Sequence, residues 1–213
     1  GDHAGALESC EASLAIAKTL ACRDPGNADW QSDLSLSHLK RGDVLIVQGD
    51  HAGALKSYQA SCAIFEMLTR RDPGNGAWQR DLSVSYAKIG DVRTAQGDHA
   101  GALESCEASL AIAKTLACRD PGNADWQSDL SLSHSQIGKL RGILGDLTGA
   151  LESYWSACAI MEMLTRRDPK NANWTARLSA SHEKIGEVKN ALGDHEGALE
   201  SNYIALAIRQ GLR

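Results

Sequence analysis

The sequence lacks the features that mark several large classes of protein. No apolar run approaches the roughly 18 to 20 residues that span a membrane, and VLIV at 44–47 is among the longest. The net charge is -5, which argues against nucleic-acid binding because that function needs a basic surface. No basic segment precedes an apolar one as in a secretory signal. We therefore expect a cytoplasmic protein that binds neither membrane nor nucleic acid.

Proline is also scarce, and its placement is informative. The chain has 4 prolines, and each follows an aspartate in a short turn-forming segment. Proline interrupts helices, so its confinement to one kind of turn leaves long stretches free to be helical. Alternation of apolar and polar residues over a useful length, as in β strands, is missing as well. The four positions are Pro25, Pro73, Pro121 and Pro169.

The motifs of catalysis and of metal binding are missing too. His182 and Glu183 begin a segment like the HExxH zinc motif, but Gly186 stands where the second histidine belongs. No two histidines lie four residues apart, and we interpret all seven as structural. A glycine-rich phosphate loop and a serine with an oriented base are also lacking. The sequence therefore predicts no enzyme activity, no metal site and no cofactor.

One seven-residue segment is repeated along the chain. GDHAGAL begins at residues 1, 49 and 97, and the related GDLTGAL and GDHEGAL begin at 145 and 193. A fixed period of 48 residues indicates stacked units, each of which buries its apolar face against the next. We expect one domain, 1–213. Its units are 1–48, 49–96, 97–144 and 145–192, with a partial fifth unit at 193–213.

The repeat also explains the even number of cysteines. The 6 cysteines fall into three pairs of equivalent positions, so duplication accounts for the count without disulfides. No CxxC pair is present. We expect all of them to be reduced and structural. The pairs are Cys10 with Cys106, Cys22 with Cys118, and Cys62 with Cys158.

Each unit contains two helical stretches. In the second unit the first stretch is predicted from about Asp50, its N-cap, to Arg71, with apolar residues spaced three and four apart. The second stretch carries a tryptophan near its start and ends near a turn glycine. We name the second type the Trp helices. They are predicted at 28–48, 76–96, 124–144 and 172–192.

Several landmarks recur in register. They are the pairs Ile89-Gly90, Ile137-Gly138 and Ile185-Gly186, the turn glycines Gly97, Gly145 and Gly193, the pairs Ala102-Leu103, Ala150-Leu151 and Ala198-Leu199, the aromatics Tyr58 and Tyr154, and the closing prolines. In these positions the chain resembles the tetratricopeptide repeat (TPR) family. The period departs from the family's 34 residues, and the extra length extends both helices of each unit by roughly 10 Å. Arg41 interrupts the first Ile-Gly pattern, and Cys10, Cys106 and Asn202 replace the aromatic.

The resemblance implies an all-α solenoid of about nine helices, wound as a right-handed superhelix. It also implies a concave groove, lined by the Trp helices, in which family members bind peptides or partner proteins without chemistry of their own. From the family pattern we expect ten residues to face this groove. They are Leu39, Asp43, Ile46, Val47, Asp91, Thr94, Lys139, Glu183, Glu187 and Asn190.

The ends of the Trp helices carry most of the variation between units. Units one and three are identical over 38 residues and then diverge, with LKRGDVLIVQ at 39–48 against SQIGKLRGIL at 135–144. These segments either present a varied partner surface or mark the end of a copied tract. Four consecutive apolar residues cannot share one helix stripe, so Leu45 or the pair Ile46 and Val47 should be partly exposed.

The charges beside the motif glycines predict the ligand class. Asp43, Asp91, Lys139 and Glu187 take these positions, so the basic clamp with which some family members hold a carboxylate is missing. A basic or mixed-charge peptide or protein is therefore expected, with an ordinary acidic surface as the alternative. A second hypothesis is self-assembly, because the first helix, at 3–23, has an apolar face that expects a preceding helix. The same face also fits a fragment of a longer array.

Overall fold

A computed structural model describes residues 3–211, and it confirms the all-α prediction. In that range the chain forms nine α-helices and no strand. None of the helices in this range is both long enough and apolar enough to span a membrane. The helices are α1 His3–Arg23, α2 Ala28–Val47, α3 His51–Arg71, α4 Gly76–Ala95, α5 His99–Arg119, α6 Ala124–Ile143, α7 Leu147–Arg167, α8 Ala172–Ala191 and α9 His195–Arg209.

Side-chain caps set where the helices begin. At the start of α4 the Asn75 side chain accepts the backbone N–H of Trp78 at 3.1 Å, and each of the other Trp helices α2, α6 and α8 has the same asparagine cap. At the start of α3 Asp50 accepts the N–H of Gly53 at 2.8 Å, which confirms the predicted cap. Each bond satisfies one of the amide groups that a helix N-terminus leaves without a partner.

Glycine closes the turn after each Trp helix. Gly97 has a φ of +80°, in the left-handed region that residues with a side chain rarely adopt, and the three other turn glycines have φ of 80° to 85°. The amide of Asp98 then donates to the carbonyl of Arg93 at 2.9 Å. This turn leads the chain directly into the next helix. The repeated Gly-Asp pair is therefore required by the geometry of the turn. The other turn glycines are Gly49, Gly145 and Gly193.

The chain divides into two compact bodies. We call them unit 1 and unit 2, and each spans more than one of the 48-residue repeats. Unit 1 ends at Ile112 and holds α1 to α4 with the first part of α5, whereas unit 2 starts at Ala113 and holds the rest of α5 with α6 to α9. Within unit 1, α2 packs on α1 and α3, and α4 packs on α3. Within unit 2, α7 packs on α6 and α8, and α9 packs on α8. The single domain expected from the repeat stays a prediction.

Each unit has its own apolar core in the predicted register. In unit 1, Tyr58 and Phe65 of α3 meet Ile89 and Val92 of α4, and all four are buried. In unit 2 the core combines residues of α7, α8 and α9. Its buried members are Ala150, Tyr154, Cys158, Met161, Leu164, Leu178, Ile185, Val188 and Ile208.

Buried serines fix the contact between each Trp helix and the helix after it. Ser35 Oγ of α2 donates to the carbonyl of Ser61 in α3 at 2.9 Å. The same bond, one repeat apart each time, joins Ser83 to Ser109, Ser131 to Ala157 and Ser179 to Ala205. A small hydroxyl lets two helices approach closely while its own hydrogen bond is satisfied.

Candidate functional site

Unit 1 has a crevice between its two Trp helices. The walls come from the C-terminal halves of α2 and α4, and Tyr58 of α3 forms the floor. The cavity has a volume of about 390 Å³. We call it the unit 1 crevice. Its lining residues are Asp43, Ile46, Val47, His51, Tyr58, Lys88, Asp91, Val92 and Ala95.

A hydrogen-bonded cluster holds the acidic side of the unit 1 crevice in place. The Tyr58 hydroxyl donates to Asp43 Oδ1 at 2.7 Å, and Lys88 Nζ donates to the same oxygen at 2.7 Å. Burial, followed by the bond to Asp43, raises the pKa of Tyr58 above its ordinary value, so the hydroxyl remains a donor at neutral pH. The carboxylate of Asp43 is therefore oriented before any ligand arrives.

Unit 2 has the equivalent crevice 96 residues along the chain, between α6 and α8 with Tyr154 as the floor. Its volume, about 560 Å³, is larger. Two of its lining residues, Gly142 and Ser135, are smaller than Ile46 and Leu39 at the equivalent positions of unit 1. We call it the unit 2 crevice. Its lining residues are Ser135, Gly138, Lys139, Gly142, Ile143, Tyr154, Lys184, Glu187 and Val188.

The two crevices differ in the sign of their charge. The unit 1 crevice has the carboxylates of Asp43 and Asp91 against one lysine. The unit 2 crevice has Lys139 and Lys184 against one carboxylate, Glu187, and Lys184 Nζ lies 2.7 Å from Glu187 Oε2. Burial, together with the charge of Glu187, raises the pKa of Tyr154 to about 12. The same fold therefore presents a net negative pocket in unit 1 and a net positive one in unit 2.

Six of the ten residues predicted for the groove line these crevices. In unit 1 the apolar pair behaves as the VLIV run predicted: Val47 is 63% exposed and Ile46 is half-buried, whereas Leu45 lies in the core. The six residues are Asp43, Ile46, Val47, Asp91, Lys139 and Glu187.

Four predicted residues are not among the lining residues of the two crevices, and Leu39 is the most buried of the predicted residues on α2. Leu39 is only 9% exposed and packs in the core of unit 1 with Tyr58, because a large aliphatic side chain at this position reaches the apolar cluster. Its equivalent, the small Ser135, does line the unit 2 crevice. The position shared by Leu39 and Ser135 is therefore next to the crevice, but the leucine side chain packs into the core.

The other three make contacts elsewhere. The Thr94 hydroxyl donates to the carbonyl of Gly90 in its own helix at 2.8 Å. Glu183 forms an ion pair with Arg209 of α9 at 2.5 Å. Asn190 Oδ1 lies 2.7 Å from His195 Nδ1, at the turn into α9. For these three residues the predicted role in the groove stays a prediction.

Sequence reasoning missed two features of these units. Lys88 and Lys184 line the crevices, and the KIG segment that contains them in both units was the available signal. In unit 2 the structure also brings Cys158 and Glu162 of α7 next to His182 of α8. The signal for that second group was a cysteine and a glutamate four residues apart, which share one face of a helix.

No protein-family model and no curated protein matches the chain. Solved structures do match. The apo form of RapI has a TM-score of 0.72 at 15% identity, with 96% of this chain and 65% of RapI covered. A Podosopora anserina structure of nearly identical TPR-like repeats has a TM-score of 0.60 at 20% identity, with 100% and 90% covered. MamA has a TM-score of 0.57 at 15% identity, with 93% and 87% covered.

These likenesses establish the fold, since identities of 15 to 20% carry no more than that. The chain has the fold of the TPR-like α-solenoids, as the sequence resemblance implied.

Proposed function

We propose that the chain is a non-catalytic scaffold that binds a peptide or a segment of a partner protein in the crevices between its Trp helices. The observation that carries the proposal is the pair of equivalent crevices, each with a tyrosine floor and each with a different set of wall residues. A constant frame with variable walls is typical of a binding surface that takes an extended ligand.

The charges support a ligand of mixed sign. In the unit 1 crevice, Asp43 is already oriented and Asp91 adds a second carboxylate, so a lysine or arginine side chain is favoured beside the exposed methyl groups of Val47. In the unit 2 crevice, Lys139 and Lys184 favour an acidic side chain. The basic ligand expected from the sequence thus suits unit 1, and an acidic one suits unit 2.

The lining groups support binding over catalysis. The carboxylate of Asp43 bonds to a tyrosine and a lysine, and neither of these is a nucleophile activated by a base. In unit 2 the hydroxyl of Ser135 donates to the carbonyl of Ser131 in its own helix at 3.1 Å. We infer that the protein acts in the cytoplasm as a partner-binding module.

The test is selection of binders from a random peptide library, followed by affinity measurement with the parent chain and two crevice variants. Asp43→Lys places in unit 1 the residue that unit 2 has naturally, and Lys139→Asp does the reverse. Asp33→Lys is the matched control, because Asp33 is an exposed residue of α2 outside the crevice lining.

We expect selected lysine-rich or arginine-rich peptides to lose about tenfold or more in affinity with Asp43→Lys and to keep it with Asp33→Lys. Acidic peptides should lose affinity with Lys139→Asp. If no peptide is enriched, or if all three variants bind as the parent chain does, the crevices are not the binding site.

A second candidate function is self-assembly through the repeat ends, and the surface of α9 favours it. Leu199 and Tyr203 are each 72% exposed, and Leu206 is exposed as well. The equivalent of Leu206 in α7 is Cys158, which is buried at the contact with α8. A second copy could cover α9 in a head-to-tail contact. Light scattering at rising concentration tests this: growth of the particle mass that Leu206→Glu abolishes supports assembly, and a constant monomer mass contradicts it.

A further inference from the structure

Three metal-ligating side chains converge where α7 meets α8 in unit 2. Cys158 Sγ lies 3.4 Å from His182 Nε2, and that nitrogen lies 3.9 Å from Glu162 Oε1. All three ligand atoms are within 4.8 Å of one another. Cys158 is 1% exposed and His182 is 4% exposed, whereas Glu162 is half-buried.

The spacing of the two buried ligands, the thiol and the imidazole, fits a tetrahedral metal. Zinc binds thiolate sulfur at about 2.3 Å and imidazole nitrogen at about 2.0 Å, so two such ligands on a tetrahedron lie about 3.5 Å apart. The observed separation of 3.4 Å between Cys158 and His182 agrees with this. Thiolate, imidazole and carboxylate together favour zinc-type divalent ions over magnesium or calcium, which prefer oxygen ligands alone.

We propose that Cys158, Glu162 and His182 form a site for a divalent transition-metal ion of the zinc class. The ion links α7 to α8 within unit 2. Glu162 also lines a cavity of about 390 Å³ that opens to solvent, and its Oε2 pairs with Arg166 at 3.2 Å while its Oε1 is the oxygen nearest His182. That opening gives the ion an entry path and leaves a fourth position for water.

The other repeats supply internal comparisons. In unit 1 the equivalents of the three ligands are Cys62, Glu66 and Tyr86, and the Tyr86 hydroxyl donates to Glu66 Oε1 at 2.6 Å. The carboxylate of Glu66 therefore accepts a hydrogen bond from a phenol, whereas the carboxylate of Glu162 faces an imidazole. In the repeats 1–48 and 97–144 the histidine is kept, as His38 and His134. Leucine replaces the cysteine there, and lysine replaces the glutamate.

Those two histidines lie near positive charge. Burial and the charges of Arg41 and Lys18 lower the pKa of His38, and burial and the charges of Lys114 and Arg141 lower the pKa of His134 to about 4. A nearby lysine repels a metal cation. Among the four repeats, therefore, only the one with His182 combines a cysteine, a carboxylate and a histidine at this register.

The test is a cobalt titration of the metal-free full chain. Cobalt takes the place of zinc, and a thiolate ligand gives it a charge-transfer absorption band. Cys22→Ser and Cys118→Ser form the background, because those two cysteines are exposed and could bind cobalt independently. We expect one equivalent to bind with the thiolate band, and zinc to displace it.

Two single substitutions give each unit the residue that the other unit has at the position of His182. His182→Tyr gives unit 2 the residue that unit 1 has at this register, and we expect it to lose the band and at least tenfold in affinity. Tyr86→His gives unit 1 a cysteine, a glutamate and a histidine, and we expect a second equivalent to bind. Circular dichroism checks that each variant is folded.

Three results would overturn the proposal. The first is a folded background chain that gives no thiolate band. The second is a His182→Tyr variant that binds cobalt as before. The third is a folded Tyr86→His variant that still binds a single equivalent. Zinc should also raise the unfolding midpoint of the background chain but not that of His182→Tyr, because an ion that binds only the folded state stabilises it.

Discussion

The ring of Tyr58 lies directly against the backbone of Gly42. A Cβ at Gly42 would come within 2.4 Å of Tyr58 Cε1, closer than any real contact. Tyr58 is fully buried and its hydroxyl is bonded to Asp43, so the ring has little freedom to move. The glycine of α2 is therefore required by the aromatic floor of the unit 1 crevice.

We predict that Gly42→Ala destabilises the protein. Alanine gains up to about 1 kcal/mol in helix propensity, but overpacking of a filled core costs about 1 to 3 kcal/mol. The expected net loss in the free energy of unfolding is about 1 to 2 kcal/mol, measured by chemical denaturation.

Gly142→Ala is the matched control for this substitution. Gly142 also lies within a Trp helix, but the nearest atom to its added Cβ is the Cβ of Ala150 at 3.9 Å, an ordinary contact. We expect it to stabilise the protein by about 0.5 to 1 kcal/mol. Equal effects of the two substitutions would contradict the packing argument.

A second prediction concerns the six cysteines, all of which lie in the described part of the chain and form no disulfide there. Cys22 and Cys118 are exposed and should react with a thiol reagent within the native protein. Burial and the charge of Glu66 raise the pKa of Cys62 to about 11, so its thiolate is scarce as well as covered.

The measurement is a thiol titration before and after denaturation. We expect two fast-reacting thiols in the native state and six in denaturant, with the buried thiols slower on the order of 100-fold. Fewer than six in denaturant would mean that disulfides exist. Cys22→Ser with Cys118→Ser should remove the fast phase.

Much of the fold could be predicted from the sequence because its determinants are local. The caps at Asp50 and Asn75 and the turn at Gly97 need only neighbouring residues, and the apolar spacing of a helix shows which face is buried. The predicted bounds of 50–71 and 76–96 differ from those of α3 and α4 by one residue.

The candidate sites were harder to predict because they depend on how two helices meet. Cys158 and His182 are 24 residues apart and touch only in the α7 to α8 contact. Leu39 follows the family pattern for a groove residue, yet its side chain packs inward. Periodicity gives the buried face of a helix, but it does not give the residue opposite on the next helix.

A third prediction is a pH dependence that arises from His134. Its pKa is lowered to about 4 from 6.5 by burial and by Lys114 and Arg141. Above pH 6.5 the histidine is neutral in both the folded and the unfolded chain, and the protein keeps its full free energy of unfolding. As the pH falls from 6.5 to 4, only the unfolded chain takes up the proton, so stability is lost.

The expected loss from this group is about 1 to 2 kcal/mol once screening of a half-exposed side chain is included. Unfolding free energies of the parent and of His134→Gln, measured across this pH range, give the difference. The curves should diverge on acidification. If they stay parallel, the histidine titrates alike in the folded and unfolded chain.

The last prediction is that the bond between Tyr58 and Asp43 stabilises unit 1. The hydroxyl donates to a carboxylate at 2.7 Å, a charge-assisted bond that contributes roughly 1 to 2 kcal/mol when partly buried. Tyr58→Phe should lower the free energy of unfolding by about 1 kcal/mol. In a double-mutant cycle with Asp43→Asn we expect a coupling energy of about 1 kcal/mol.

Tyr154→Phe is the matched control, since the residue at the position of Asp43 in unit 2 is Lys139, which accepts no hydrogen bond. Its effect on stability should be smaller than that of Tyr58→Phe. A negligible coupling between Tyr58 and Asp43 would mean that Lys88 alone orients the carboxylate. In that case Lys88→Met, and not Tyr58→Phe, should show the coupling energy with Asp43→Asn.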